Sequence, residues 1–265
     1  MNAYQAMFNV IYALFFRELK TRFGKNRRLG YIWVIGEPMA QILVILGVVT
    51  AIRQYRNFLM PEGISIFMFL ATGIIPYFMF RSTVNQMLGG IAGNLGLFTY
   101  KPVKPIHVFI ARTLVECFIY FFIFVLTMIL VAWVFNMQVL PYRFLEVYFA
   151  FVVLAFSGFA LGLCLTILNH FVEPLKSILP YFVLLVYVSS AIVYPAWIVP
   201  DALFKYLLYN PWIHITETIK MNYFEHYPAR EGITLIYPIM VSLVLFFIGL
   251  WVYYYKRQEL SAARP

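Results

Sequence analysis

Residues 106–135 read IHVFIARTLVECFIYFFIFVLTMILVAWVF, and the second half of this stretch decides the class of fold. Beyond Arg112 and Glu116 it carries no charge. A helix needs about 20 mostly apolar residues to cross a bilayer, where every backbone N–H and C=O has to bond within the segment. The rest of the chain repeats the pattern. Of its 265 residues, 63% are hydrophobic and 12% charged, whereas soluble domains usually hold about 45–50% apolar and about 25% charged residues. One soluble core of this size has no room for so much apolar surface. The composition therefore excludes a soluble enzyme, a DNA-binding domain and a disordered chain, and leaves a polytopic membrane protein. Cys117 and Cys164 both lie inside apolar blocks, which speaks against a disulfide framework or a thiolate metal site.

Working outward from that stretch, six spans are predicted, with 106–135 as the third. The first covers about 31–52 and carries Glu37-Pro38 near its start; the second begins at Ile64 and continues past Arg81 to about Leu88. Residues 144–168, 177–193 and 234–255 supply the last three. The cations then set the orientation. Arg17, Lys20, Arg22, Lys25, Arg27 and Arg28 precede span one, and Lys101, Lys104 and Arg112 lie around the connection between spans two and three. Lys176 follows span four, and Lys256, Arg257 and Arg264 follow span six. These 13 stand against 6 on the alternate side: Arg53, Arg56, Arg143, Lys205, Lys220 and Arg230. The positive-inside rule then predicts cytoplasmic termini. This asymmetry explains the net charge of +9 better than a nucleic-acid partner does.

Two segments outside the spans have patterns of their own. In 8–23 (FNVIYALFFRELKTRF), Phe8, Ile11, Tyr12, Phe15, Leu19 and Phe23 recur at helical spacing, with Arg17, Lys20 and Arg22 on the polar side. That pattern predicts a basic amphipathic helix lying in the membrane interface. Residues 194–232 form a long aromatic-rich connection on the other side. There Pro200-Asp201 begins one short helix, Asn210-Pro211 breaks it, and a second runs from about Trp212 to Tyr223. The pair is expected to dip into the outer interface.

Several motifs are missing. The chain has no G-x-x-x-x-G-K-[ST] phosphate loop, and the Gly-rich 89–96 (GGIAGNLG) lacks the Lys-Ser/Thr that would make it one. The four histidines, 107, 170, 214 and 226, lack the H-x-E or H-E-x-x-H spacing of a metal site. Glu37, Arg81 and Glu116 lie inside spans, where a charge is expensive. Either they line a hydrophilic pathway, or they pair with one another and reach to the membrane edge. Gly158-x-x-x-Gly162, one turn after Ala155, makes a small-residue face for close helix packing. Residues 94–107 (NLGLFTYKPVKPIH) hold two Lys-Pro pairs, predicting either a stiff elbow for docking a partner or a plain solvated loop.

Three strings, RRLGYIWVIGEP (27–38), YKPVKPIHVFIAR (100–112) and NPWIHITETIKMNYF (210–224), occur in the order seen in one family. The chain resembles the permease subunit of ABC-2 type polysaccharide exporters, most closely the capsular polysaccharide export permeases of Gram-negative bacteria. The resemblance implies an all-α integral membrane fold, with residues 1–265 as a single ABC-2 type transmembrane domain. In it, 8–23 is the interfacial helix, 31–255 holds six transmembrane helices, 94–105 is a cytoplasmic coupling loop and 194–232 is an external re-entrant helical pair. It also implies a transport subunit of the bacterial inner membrane and not an enzyme. Two copies would form the conduit, driven by a separate cytoplasmic ABC ATPase dimer that binds ATP and Mg, with no cofactor on this chain. The cargo would be a lipid-linked acidic polysaccharide, handed on through a periplasmic co-polymerase and an outer-membrane export protein.

By position, the resemblance places Arg22, Lys25, Arg27 and Arg28 where the anionic lipid anchor approaches. Trp33, Glu37 and Arg81 fall at the inner mouth of the path, and Trp197 and Trp212 at the outer gate. Asn94, Phe98, Tyr100, Lys101 and Lys104 would couple to the ATPase. His107 stands where relatives are expected to carry an acid. Within the class, O-antigen, teichoic acid or a drug are alternative cargoes. Outside it, an ion-coupled carrier would depend on Glu116, and a membrane-embedded glycosyl or lipid-modifying enzyme on Glu217 and Glu225.

Overall fold

A computed structural model describes residues 3–23, 30–58, 60–61, 63–172 and 175–261. Lys25, Arg27 and Arg28 lie outside the described residues. Among the described residues every regular element is helical: α1 (Ala3–Phe23), α2 (Gly30–Tyr55), α3 (Ile66–Leu88), a 3-10 turn (Ala92–Leu97), α4 (Pro105–Phe135), α5 (Phe144–Phe171), α6 (Leu175–Ser189), a second 3-10 turn (Ala196–Ile198), α7 (Asp201–Leu207), α8 (Pro211–Tyr223) and α9 (Ile236–Ser261). The ends follow local chemistry. Ser65 accepts from the Met68 N–H at 3.3 Å to start α3. Asn210 accepts from the Trp212 N–H at 2.9 Å, with Pro211 fixing the first turn of α8. α4 opens on Pro105, where the Lys104 N–H donates to the His107 ring at 3.3 Å, and closes at Asn136 with φ 51°.

Among the described residues, five helices are long and apolar enough to cross a membrane: α2 from Trp33, then α3, α4, α5 and α9 to Leu260. The chain is an integral membrane protein. Over the segment expected to be a span at 177–193 lies α6, an apolar helix of 15 residues. At 1.5 Å per residue such a helix covers about 22 Å, short of a hydrocarbon core of about 30 Å. Its end is set by polar capture. Ser189 bonds back to the Leu185 carbonyl at 2.8 Å, Asn210 donates to the Ser189 and Ser190 hydroxyls at 2.8 and 2.9 Å, and Ala191 turns the chain at φ 51°.

α3 is the central element, packed by α2, α4, α5 and α8. Its Gly73 lets the turn after α6 approach so closely that a Cβ there would stand 2.6 Å from the Ile192 carbonyl oxygen. The small face of α5 serves packing inside one chain: a Cβ on Gly158 would meet the Phe80 ring of α3 at 3.3 Å, and one on Gly162 the Met87 sulfur at 2.6 Å. α9 covers the other side of α5. α1 lies along α4, with Leu14 and Leu19 turned inward and the ladder Phe8, Tyr12 and Phe16 left exposed.

Candidate functional site

At the end of the molecule where α4 begins, α1 is fastened by a chain of charges. Arg17 donates to the Asn94 side chain at 2.7 Å, and buried Asn94 in turn donates to the Gly90 carbonyl at 2.9 Å. The next residue of α1, Glu18, comes within 3.3 Å of the Arg112 guanidinium, which also donates to the Gln86 carbonyl at 2.7 Å. Arg22 pairs with Glu116, whose second oxygen accepts from Ser82 at 2.6 Å. Glu116, only 1% exposed, is thus answered by the amphipathic helix and α3, and not by Glu37 or Arg81. A carboxylate buried without such partners would be costly. The network joins α1, the ends of α3 and α4, and the 3-10 turn. Glu18 was missed as a site residue, although it is the one acid on the basic flank of α1. Phe98 is half-buried beside Val108, while Tyr100, Lys101 and Lys104 are exposed.

Further along the bundle, a cavity of about 440 Å³ opens between α2, α3 and α6. Arg81 and Asn85 line it with Tyr77, Leu184 and Tyr187. The Tyr77 hydroxyl donates to the Val183 carbonyl at 2.7 Å, and its ring stands 4.8 Å from that of Tyr187. Exposed Arg81 sits 5.6 Å from the Phe78 ring. A guanidinium fork beside aromatic faces and an amide has the chemistry to hold an anionic or hydroxylated chain. Trp33 and Glu37 are exposed on the uncovered stripe of α2 that also carries Val44 and Val48. Neither lines the cavity, and no ion pair among the described residues joins Glu37 to Arg81.

At the opposite end, α7 and α8 form an aromatic hairpin. Trp197 lies 6.0 Å from Phe69 and 5.1 Å from Tyr227. Trp212 donates its indole N–H to Ser157 at 2.9 Å and sits 5.4 Å from Phe80. Both are half-buried and serve to fix the hairpin on α3 and α5. Beneath them, Lys220 (0% exposed) and Glu217 (1%) approach to 3.3 Å. Tyr227 donates to Glu217 at 2.8 Å, and Lys220 donates to the Ala191 carbonyl and lies 4.1 Å from the Phe69 ring. Burial pushes the Glu217 carboxyl up and the Lys220 ammonium down, while each partner holds the other toward its charged form. Both Glu217 oxygens are taken and Glu225 is exposed beyond the helix, so the pair offers no enzyme its acid and base. His214 accepts from the Thr234 N–H at 3.1 Å and bonds the Leu208 carbonyl at 2.9 Å, and burial lowers its pKa. It is a fastening of the hairpin to the start of α9.

No family model matches the chain. Curated relatives do. Over 241 residues the sequence is 38% identical to a polysialic acid transport protein KpsM of Escherichia coli, spanning 91% of both chains. The chain belongs to this family of inner-membrane polysaccharide export permeases. A second KpsM of E. coli matches the permease at 37% over the same share. The capsule polysaccharide export inner-membrane protein CtrC of Neisseria meningitidis serogroup A is 25% identical over 247 residues, 92% of the permease and 89% of CtrC. These relatives are transport proteins, and the permease shares their length. The residues that sequence singled out are not one site in it. Those that the structure describes divide among the α1 fastening, the α2–α3–α6 cavity, the aromatic hairpin, the exposed stripe of α2 with Trp33 and Glu37, and the exposed turn with Tyr100, Lys101 and Lys104.

Proposed function

We propose that the chain is the permease subunit of an ATP-driven exporter that carries lipid-linked capsular polysaccharide across the inner membrane. A second copy of itself completes the conduit, and a separate cytoplasmic ABC ATPase dimer supplies the work. A periplasmic co-polymerase and an outer-membrane export protein take the chain onward. Both termini face the cytoplasm, α6 with the turn after it makes the sixth crossing, and the α7–α8 hairpin re-enters from the outer side.

The observation that supports this most directly is where the polar groups emerge. Only 11% of the apolar window of α2 is buried, against 78% in α3, and Glu37, Arg81 and Asn85 are exposed on or beside that bare face. A guanidinium facing hydrocarbon is expensive, so this face is suited to a polar conduit shared with a second copy. A lined conduit also removes the cost of placing sugar hydroxyls and carboxylates in lipid. Arg22, with Lys25, Arg27 and Arg28 next along the sequence, meets the anionic anchor, and attraction of opposite charges favours that role. The 3-10 turn and the exposed Tyr100, Lys101 and Lys104 present the docking surface for the ATPase. Because α1 is bonded to Asn94, a push on this turn reaches α3 and α4 through the same network.

The test is transport of capsular glycan into inverted vesicles holding the permease and its ATPase. ATP-dependent, glycan-specific uptake is expected; uptake without ATP, or none with both proteins present, refutes the proposal. A Cys placed at Tyr100, 63% exposed, is expected to crosslink to the ATPase, and absence of contact in every nucleotide state removes the coupling assignment.

A further inference from the structure

Where α4 and α5 part, toward the α8 end of the bundle, they leave a crevice of about 260 Å³. Its walls are Val125 and Ile129 of α4 and Phe144 and Tyr148 of α5, all exposed. Its floor is buried and aromatic. Phe124 stands 5.0 Å from Phe151 and 6.3 Å from Tyr223 of α8, each pair edge-on. The Tyr223 hydroxyl donates to the Val139 carbonyl, and the Tyr142 N–H donates to the Tyr223 carbonyl at 3.1 Å. The crevice therefore ends against the base of the hairpin.

Both walls are membrane spans, so what surrounds the crevice is hydrocarbon. A gap of this size lined by apolar groups does not hold water, which needs two or more polar partners, and left empty it forfeits dispersion contacts along its whole lining. An acyl chain is the one abundant material of matching shape and polarity. At the mouth, beside Pro141 and Phe144, stands Arg143, exposed and 5.7 Å from the Tyr142 ring. It caps the N-terminal end of α5, at the level where a span meets phosphate headgroups, one turn before Glu146. The polar face of the spans lies elsewhere, on α2 and α3, so the crevice is not part of the conduit.

We infer that the α4–α5 crevice is a fixed lipid site, taking one acyl chain of a phospholipid whose phosphate is met by Arg143. The chain rests on Tyr223 and so fills the space beneath the hairpin; the site is independent of the cargo. The experiment uses the full-length permease in phosphatidylethanolamine vesicles, with phosphatidylglycerol carrying a diazirine in one acyl chain as the probe. Labelling is expected at Val125, Ile129, Phe144 and Tyr148 at about tenfold the level on the equally lipid-facing Phe247 and Trp251 of α9, the excess that about 1.4 kcal/mol of added affinity produces. Val125→Trp fills the crevice from its α4 wall and is expected to drop crevice labelling to the α9 level. Should it fail to fold, Leu140→Trp on the 86% exposed lip makes the same test. Arg143→Gln is expected to weaken labelling by phosphatidylglycerol while labelling by a diazirine fatty alcohol stays, which separates headgroup from chain. Equal labelling of both faces, or labelling unmoved by the Trp variants, overturns the site. So does disulfide formation between two copies carrying Ile129→Cys, because a second chain would then cover the crevice.

Discussion

The two ends of the bundle each bury a carboxylate against a cation, yet they do so in opposite ways. In the aromatic hairpin, Glu217 and Lys220 are one turn apart on α8, both enclosed, with every remaining bond going to fixed groups: Tyr227, the Ala191 carbonyl and the Phe69 ring. At the α1 end, Arg22–Glu116 and Arg112–Glu18 join residues far apart in sequence; Arg22 is 21% exposed while Glu116 is 1%, and Arg112 and Glu18 lie between them at 12% and 9%. An enclosed pair cannot be parted without stranding a charge. A pair with one wet member opens at the cost of a charge-assisted bond, because the cation can turn to solvent. The hairpin is held by a fully enclosed pair, and α1 in part by one whose cation reaches the surface.

Breaking the enclosed pair is the sharpest way to test that contrast. Lys220→Met is expected to strand Glu217 and cost about 3–5 kcal/mol, seen as a collapsed melting temperature and yield in detergent. Glu217→Gln together with Lys220→Met should recover most of it. If the single and double variants melt alike, the pair is not what fixes the hairpin. The next largest effect lies in the same region: Gly73→Ala forces a Cβ onto the Ile192 backbone and is expected to cost about 1–3 kcal/mol in the same melt.

At the other end, Glu116→Gln keeps an acceptor for Ser82 but releases Arg22, for a local cost of about 1–2 kcal/mol. Hydrogen exchange and tryptic cleavage within α1 should speed up while the global melt barely moves. Retained transport in this variant would also dismiss an ion-coupled carrier, and a global loss of stability would erase the distinction between the two ends. Asn94→Ala removes the Arg17 contact, worth about 0.5–1.5 kcal/mol; faster exchange is expected in the 3-10 turn, with α8 unaffected. The smallest effect on stability is Tyr100→Ala, within about 0.5 kcal/mol as for other exposed positions, accompanied by weaker ATPase binding in a pull-down.

Much of the fold was legible because crossing a bilayer leaves few options. The long apolar blocks around 106–135 and 144–168 became α4 and α5 within a few residues, and Asn210-Pro211 marked the start of α8. Within the expected span over 177–193 the helix stops at Ser189, because apolarity reports what a segment tolerates and not where it ends. Ser189 and Ser190 end α6 only because Asn210, 20 residues on, reaches back to hold them. The candidate site was legible as residue types and not as a constellation. Arg81 was marked by its cost inside a span, and Tyr77 shares its face of α3 four residues earlier, but Tyr187 comes from α6, which no spacing connects to them.

By itself, the sequence determined that this chain lives in a membrane, which segments are helical, and which side chains are too costly there to be accidental, because desolvation acts residue by residue. Which charges answer one another was left to the tertiary structure. Glu116 could be matched to Arg22, and Arg112 to Glu18, only once α1 lay along α4, since an ion pair depends on distance in space and a linear pattern carries none.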